Sequence, residues 1–396
     1  MKPTQADFAL AGGTPSFAET IPFGQYFVPD EAGYRGVLER IAANGYFTNH
    51  GPLAREFEAS LAEYLGVAHV VLCTNESLGL SMALKGMQID GPVLVPALGY
   101  PELVESVLWA GLEPVFCDVD PVTHQISPEL LDAAAHDGAG AVVLLEMWGN
   151  RCDANGLVEV AERNGLQTLF YAADGFGSAH EGRRVARPDQ TTLFSFQSSR
   201  LLSTMEGGCL ATDDDHFAAV LRNIRSSYGA GAPTAVPVTA NGRFSELQAG
   251  LGLWGLQRID TSLGHNRALC DAYRNAIGEV PGLTIYGVSQ GVQSNHQCLV
   301  LRVDSECSGP SRDELLKILA AERVITSRDT WPCLPERPGF SAWAKGESFP
   351  VAEQLAQELL LLPVGSGVSV EAASKIGGLV AAAGKVFSQQ HSSTDG

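Results

Sequence analysis

Six short apolar runs recur through the first half of the chain, each separated from the next by a helix-like or polar stretch. VVLC at 70–73 precedes a helical pattern at 78–87, and PVLVP at 92–96 precedes an amphipathic stretch at 102–109. PVFC at 114–117, AVVLL at 141–145, TLFY at 168–171 and TLFSF at 192–196 complete the series, with a further helix near 157–164. A run that is apolar at every position belongs to a strand covered on both faces. Strand–helix alternation then predicts an α/β domain with a mostly parallel sheet. Ligands of such sheets bind beyond the carboxyl ends of the strands. The turns after Cys73, Pro96, Leu145 and Tyr171 are therefore the places to search for a site.

The second half reads differently. A long helical pattern covers 247–278, followed by a strand at 297–303 and helices at 311–323 and 352–360. This describes a smaller α+β domain. The expected organisation is an N-terminal segment with the large domain over 1–260, a small C-terminal domain over 261–388, and a Ser-rich flexible tail over 389–396.

Composition narrows the function. The net charge is −19, from 26 basic and 45 acidic side chains, which disfavours nucleic acid and anionic membranes as partners. The eight cysteines form no C-x-x-C pair, so neither a metal site nor a disulfide framework is expected. There is no signal-peptide pattern at the start and no run of ~20 apolar residues, so the expectation is a cytoplasmic protein acting on a small molecule.

Motifs in order along nearly the whole chain carry a resemblance. LAGGTP at 10–15 comes first, then TNHGP at 48–52 with Phe57-Glu58. The stretch from Pro96 to Asp120 contains PVFCDVD, and GRRV at 182–185 is followed by FSF at 194–196 and EGG at 206–208. NGRFSELQA at 241–249 and Ser327-Arg328 with Trp331 close the series. Together they resemble the DegT/DnrJ/StrS sugar aminotransferases. The resemblance implies an aspartate-aminotransferase-like (type I PLP-transferase) fold, pyridoxal phosphate (PLP) as cofactor, and a homodimer with sites at the interface.

Three positions depart from what the resemblance implies. The lysine that forms the Schiff base stands four residues after FSF in the family, and here that residue is Arg200. A guanidinium stays protonated and forms no Schiff base. The carboxylate that pairs with the pyridine nitrogen matches Tyr171, with Asp174 three residues on. The small residues at the phosphate-binding helix start match Asn75-Glu76-Ser77, where Glu76 brings negative charge. The resulting expectation is a PLP-independent enzyme on an aminotransferase scaffold, with its catalytic lysine lost and no cofactor. It would perform acid–base chemistry (dehydration, cyclisation, isomerisation or condensation) on a small polar, anionic metabolite of sugar or natural-product biosynthesis. Two alternatives stay open: a non-catalytic partner of an active aminotransferase, and a sugar dehydratase or aminotransferase holding PLP or pyridoxamine phosphate (PMP) non-covalently.

The candidate catalytic residues are Arg200, Glu146, Asp174 and Tyr171, with His180 as a further acid–base group. Glu146 is included because it ends an apolar strand. Arg200 is either an anion clamp or one half of an internal ion pair with Glu76, Asp174 or Glu206. Substrate-binding candidates are Tyr100, Glu76, Ser77, Ser195, Ser199, Asn241, Arg328 and Trp331. The resemblance implies that Tyr100 stacks on a ring, that Ser195 and Ser199 lie near a phosphate, and that Asn241 reaches the partner subunit's site. Each has a plainer alternative: core packing for Tyr100 and Trp331, structural hydrogen bonding for Ser195, a helix cap for Asn241 and a surface ion pair for Arg328.

Overall fold

The computed structural model describes the chain apart from residues 1, 3, 26, 136–137, 185–188, 227–232, 308, 329, 331 and 392–396. Two helices, α1 (Glu31–Asn44) and α2 (Pro52–Leu65), lead into the alternating region. There follow β1 (His69–Cys73), α3 (Glu76–Met87), β2 (Val93–Pro96), α4 (Pro101–Trp109), β3 (Pro114–Cys117), α5 (Pro128–Ala134), β4 (Ala141–Leu145) and α6 (Ala154–Arg163). Next come β5 (Gln167–Ala172), the two-residue β6 (Ala179–His180), β7 (Thr192–Ser195), β8 (Gly208–Thr212) and α7 (Asp215–Arg225). Seven of these strands form one sheet in the order β1-β8-β7-β5-β4-β2-β3. All neighbours pair in parallel except those of β8, which runs antiparallel to both β1 and β7. The expected α/β class with a mostly parallel sheet is what the chain forms.

The apolar runs explain the layering. Every residue of β2, β4, β7 and β8 is buried, so helices cover both faces of the sheet. One face packs Val71, Val95, Val143 and Leu193 against α3 and α4. The other packs Leu72, Phe194 and Cys209 against α2. Each such Val, Leu or Phe side chain contributes about 1.5–3 kcal/mol by leaving water.

The remaining elements are α8 (Glu246–Leu256), α9 (Ile259–Ile277), β9 (Leu283–Ile285), β10 (Val292–Gln293), β11 (Leu299–Val303), α10 (Arg312–Ala321), α11 (Pro350–Glu358), β12 (Leu359–Leu362) and α12 (Val370–His391). Strands β12, β11 and β9 make a second, antiparallel sheet, whose core includes Leu269 and Tyr273 of α9 and Ile376 and Val380 of α12. Two sequence expectations change here. The helix expected through 360 stops at Glu358, because the all-Leu run at 359–362 pairs with β11 and is buried on both sides. The single helix expected over 247–278 breaks between Leu256 and Ile259.

One buried carboxylate ties the layers together. Helix α2 begins at Pro52 after Gly51, so it has no capping side chain of its own. Glu246, fully buried at the start of α8, accepts hydrogen bonds from the N–H groups of Leu53 (2.8 Å) and Ala54 (3.0 Å). A Cβ on Gly51 would lie 2.6–2.7 Å from that carboxylate, which explains the glycine. Replacing Glu246 with Ala leaves two buried donors unpaired. The expected loss is about 2–3 kcal/mol in a urea melt, against a negligible change for Glu31→Ala on the exposed face of α1.

Candidate active site

Four strand ends place the site. Glu76 is the first residue of α3, shortly after Cys73 at the end of β1. Tyr100 is the N-cap of α4, after β2. Asp174 lies in the turn after β5, and Arg200 in the loop after β7. All four therefore stand at carboxyl ends of strands in the main sheet, where the alternation pattern located the search.

Asp174 is the hub. It is 1% exposed. Its Oδ2 accepts from the Tyr100 hydroxyl at 2.5 Å and from the Trp148 N–H at 3.0 Å. Its Oδ1 accepts from Gln297 Nε2 at 2.9 Å and from Arg200 Nη1. Arg200 also lies over the Tyr100 ring, with Cζ 5.5 Å from the centroid, and its Nε donates to Ser195 Oγ at 3.5 Å. Its Nη2 stands 3.9 Å from Glu76 Oε1, an ion-pair distance but not a hydrogen bond. The space beside Tyr100, Ser199, Arg200, Gln297 and Cys298 is only about 30 Å³, room for one water.

Charge in this cluster is unevenly met. Burial opposes the Arg200 charge, but Asp174 and then Glu76 outweigh it and hold the guanidinium firmly charged. Burial pushes the Glu76 carboxyl up to about 7, with Arg200 opposing. Burial and then Glu76 push the Tyr171 hydroxyl up, and burial with Asp174 does the same for Tyr100, so both phenols stay proton donors. Among Arg200, Asp174, Glu76, Tyr100 and Tyr171, two buried polar atoms have no hydrogen-bond partner: Glu76 Oε2 and Tyr171 Oη. Such atoms are costly unless a ligand or water meets them.

The other candidates fall in different places. Ser199 hydrogen-bonds Gln197 at 3.4 Å and borders the small space beside Arg200. Ser77 lines a wider groove between α3 and α4 with Ser81 and Lys85. Glu146 is fully buried, but its carboxylate turns to Arg151 Nε at 3.2 Å and the Cys152 N–H at 3.2 Å, forming a pair of its own. His180 borders a different cavity, together with Arg151 and Asp153. Asn241 is exposed and accepts from Arg243 Nε at 2.6 Å, whereas the cap of α8 is Ser245. Arg328 pairs with Asp313 at 3.2 Å. Trp331 lies outside the described residues. Lysines 2, 317, 345, 375 and 385 belong to other parts of the surface, and Lys85 lines the α3–α4 groove.

Sequence reasoning missed Gln297, which joins the two halves of the site. Besides donating to Asp174, its side chain accepts from the Leu201 N–H at 2.7 Å, and its backbone carbonyl accepts from Gln25 Nε2 at 2.7 Å. A polar residue opening an otherwise apolar run, QCLVLRV, was the only available signal.

Comparison with known proteins gives this geometry a context. The profile of the DegT/DnrJ/EryC1/StrS aminotransferase family matches residues 31–381. A dTDP-4-amino-4,6-dideoxy-D-glucose transaminase of Escherichia coli is 27% identical over 361 residues, covering 90% of this chain and 97% of that protein. The crystal structure of DesI in the presence of its TDP-sugar product superposes with a TM-score of 0.90 at 29% identity, covering 99% of this chain and all of the other. DesV of S. venezuelae, in complex with a ketimine intermediate, superposes at 0.83 with 25% identity, covering 92% and 98%.

These relatives overturn the expectation of a cofactor-free, PLP-independent enzyme with its catalytic lysine lost. They are transaminases or share that fold over almost their whole length, so a cofactor is expected in this site. The residue-by-residue reading counted each departure as a lost contact. It did not weigh that Arg200, Tyr171 and Glu76 return a cation, a hydroxyl and a carboxyl to the same pocket.

Proposed function

Because the chain belongs to the DegT/DnrJ/EryC1/StrS aminotransferase family, we propose that it is a PLP- or PMP-dependent enzyme of a nucleotide-linked sugar that holds its cofactor without a covalent bond. The observation that carries this reading is Arg200, a cation at the heart of the pocket that cannot form a Schiff base. The fit of the cofactor rests on the two orphaned atoms, Glu76 Oε2 and Tyr171 Oη, together with the first turn of α3. A helix start, a guanidinium and two hydroxyl-type donors suit a phosphate-bearing heterocycle.

Arg200 and the first turn of α3 would hold the phosphate, Tyr171 would donate to the ring nitrogen, and Tyr100 would flank the ring. When bound, the cofactor supplies an electron sink beside the sugar carbon, and in its amine form the amino group itself. To reach the phosphate, Arg200 would give up its bond to Asp174, because the space beside it admits only one water. Asp174 keeps the hydroxyl of Tyr100 and the amide of Gln297, so the wall of the site stays in place. Both phenols remain protonated and serve as hydrogen-bond donors rather than bases.

The same reading makes the protein a cytoplasmic homodimer, with the exposed Asn241 directed to the partner's site. Support comes from the groove between α3 and α4, about 550 Å³ and within the range of a ligand or side-chain pocket, beside Trp109, which is 83% exposed. No helix among the described residues is long and apolar enough to cross a membrane.

Incubation of the PMP-loaded protein with a panel of dTDP-, GDP- and UDP-linked keto sugars tests the activity. Loss of the keto sugar to an amino or deoxygenated product, seen by mass spectrometry, is expected. If none of the panel is consumed while PMP is demonstrably bound, the assignment fails.

A further inference from the structure

We propose that Glu76 is a proton-carrying donor, so that the site takes up a proton when it binds the phosphate of its ligand. This rests on the cofactor reading above and deepens it. Glu76 is the first residue of α3, is 6% exposed, and has its Oε2 without a partner. The N-cap Asn75 already satisfies the Leu78 N–H at 2.8 Å, so the Glu76 carboxyl is not needed to cap its own helix. It points among groups from four other elements. Arg200 faces it from the loop after β7, Asp174 and Tyr171 from β5 and its following turn, Glu102 from α4, and Glu206 from the loop before β8.

The balance of these charges decides its state. The set contains one cation and three further carboxylates. With Glu76 ionised, Arg200 and its two nearest acids sum to −1; with Glu76 protonated they sum to zero. A phosphate arriving at the start of α3 adds negative charge within the same buried space, which favours the neutral carboxyl further. A protonated carboxyl also acquires an O–H, and the orphaned oxygen becomes a donor to the anion. Repulsion, which the sequence suggested between Glu76 and a phosphate, thereby becomes a hydrogen bond at the cost of one proton.

The sign of the pH dependence follows. Glu76 sits at about 7 in the free protein, and higher still with the anion bound. Below that pH both states carry the proton and affinity is insensitive to it. As pH rises above it, the free protein loses the proton and the complex keeps it, so affinity falls by up to about tenfold per pH unit.

The test is isothermal titration calorimetry of PMP into the full chain, in buffers of matched pH but different ionisation enthalpy. Wild type is expected to take up progressively more protons between pH 6 and pH 8, approaching one beyond whatever Glu76→Gln takes up. Glu76→Gln carries a permanent donor, so it is expected to bind about tenfold tighter than wild type at pH 8. Glu206→Gln, which faces the same carboxyl, keeps the uptake and confirms that the proton resides on Glu76. Equal uptake in wild type and Glu76→Gln, with PMP binding intact, overturns this inference alone. Absence of PMP binding in every variant at every pH overturns the cofactor reading and this inference with it.

Discussion

Replacing Asp174 with Ala is expected to cost about 3–5 kcal/mol of folding stability, the largest single effect in the molecule outside its apolar core. The carboxylate accepts four hydrogen bonds in a fully enclosed place, from Tyr100, the Trp148 N–H, Gln297 and Arg200. Removing it strands a buried guanidinium and three donors at once. The reverse truncation is milder. Arg200→Met leaves the Asp174 charge in place, but with its three other donors still bonded to it. The double variant should therefore be more stable than Asp174→Ala alone, a non-additivity that urea denaturation of the four proteins measures. Since domains are stable by only about 5–15 kcal/mol, Asp174→Ala is expected to lose a large share of the total. A cost under about 1 kcal/mol would show that the Asp174 network contributes little to holding the site together.

Removing the Arg200 side chain acts on binding where Asp174 acts on folding. Arg200→Ala deletes the only cation among the groups facing Glu76 and Tyr171. A charge-assisted hydrogen bond contributes about 1.5–3 kcal/mol, so PMP affinity is expected to fall roughly 10- to 150-fold. The loss should appear for inorganic phosphate as well, because the guanidinium recognises the anion and not the ring. Pyridoxamine without its phosphate should bind wild type and variant alike. Fluorescence titration of the three ligands checks the pattern. Equal weakening for phosphate-free pyridoxamine would assign Arg200 to the ring or the substrate instead.

Much of this was legible in residue order. Runs apolar at every position named β1 to β5 and β7, because a strand covered on both faces has no other composition. The strand β8 was not read, since GCLAT opens on glycine and closes on threonine, and its antiparallel place depends on β1, which lies more than a hundred residues back, as well as on the nearby β7. The all-Leu run at 359–362 illustrates a related ambiguity: four leucines extend a helix pattern as readily as they make a strand, and only β11 decides between them.

The site divides in the same way. Arg200, Asp174, Tyr100 and Glu76 follow strand ends, and position along the chain was enough to bring them together. Glu146 obeys the same rule, yet its side chain leaves for Arg151, because a strand-end position does not say which way a carboxylate turns. Gln297 enters from beyond residue 280, and no local pattern marks a side chain whose partner lies over a hundred positions away. The net character of the pocket was also beyond local reading. Each departure looked like a loss, and only the assembled cluster shows an arginine, a phenol and a protonatable carboxyl sharing one buried volume.

The central claim is that this site binds the family's cofactor and does so without a covalent bond. Stoichiometric PLP or PMP added to the protein, followed by borohydride reduction and intact-mass measurement, with a parallel dialysis, tests it most directly. The account predicts saturable binding, full recovery of the cofactor on dialysis and no mass added to the chain after reduction. Cofactor fixed to a lysine, or no saturable binding of either form, would contradict it.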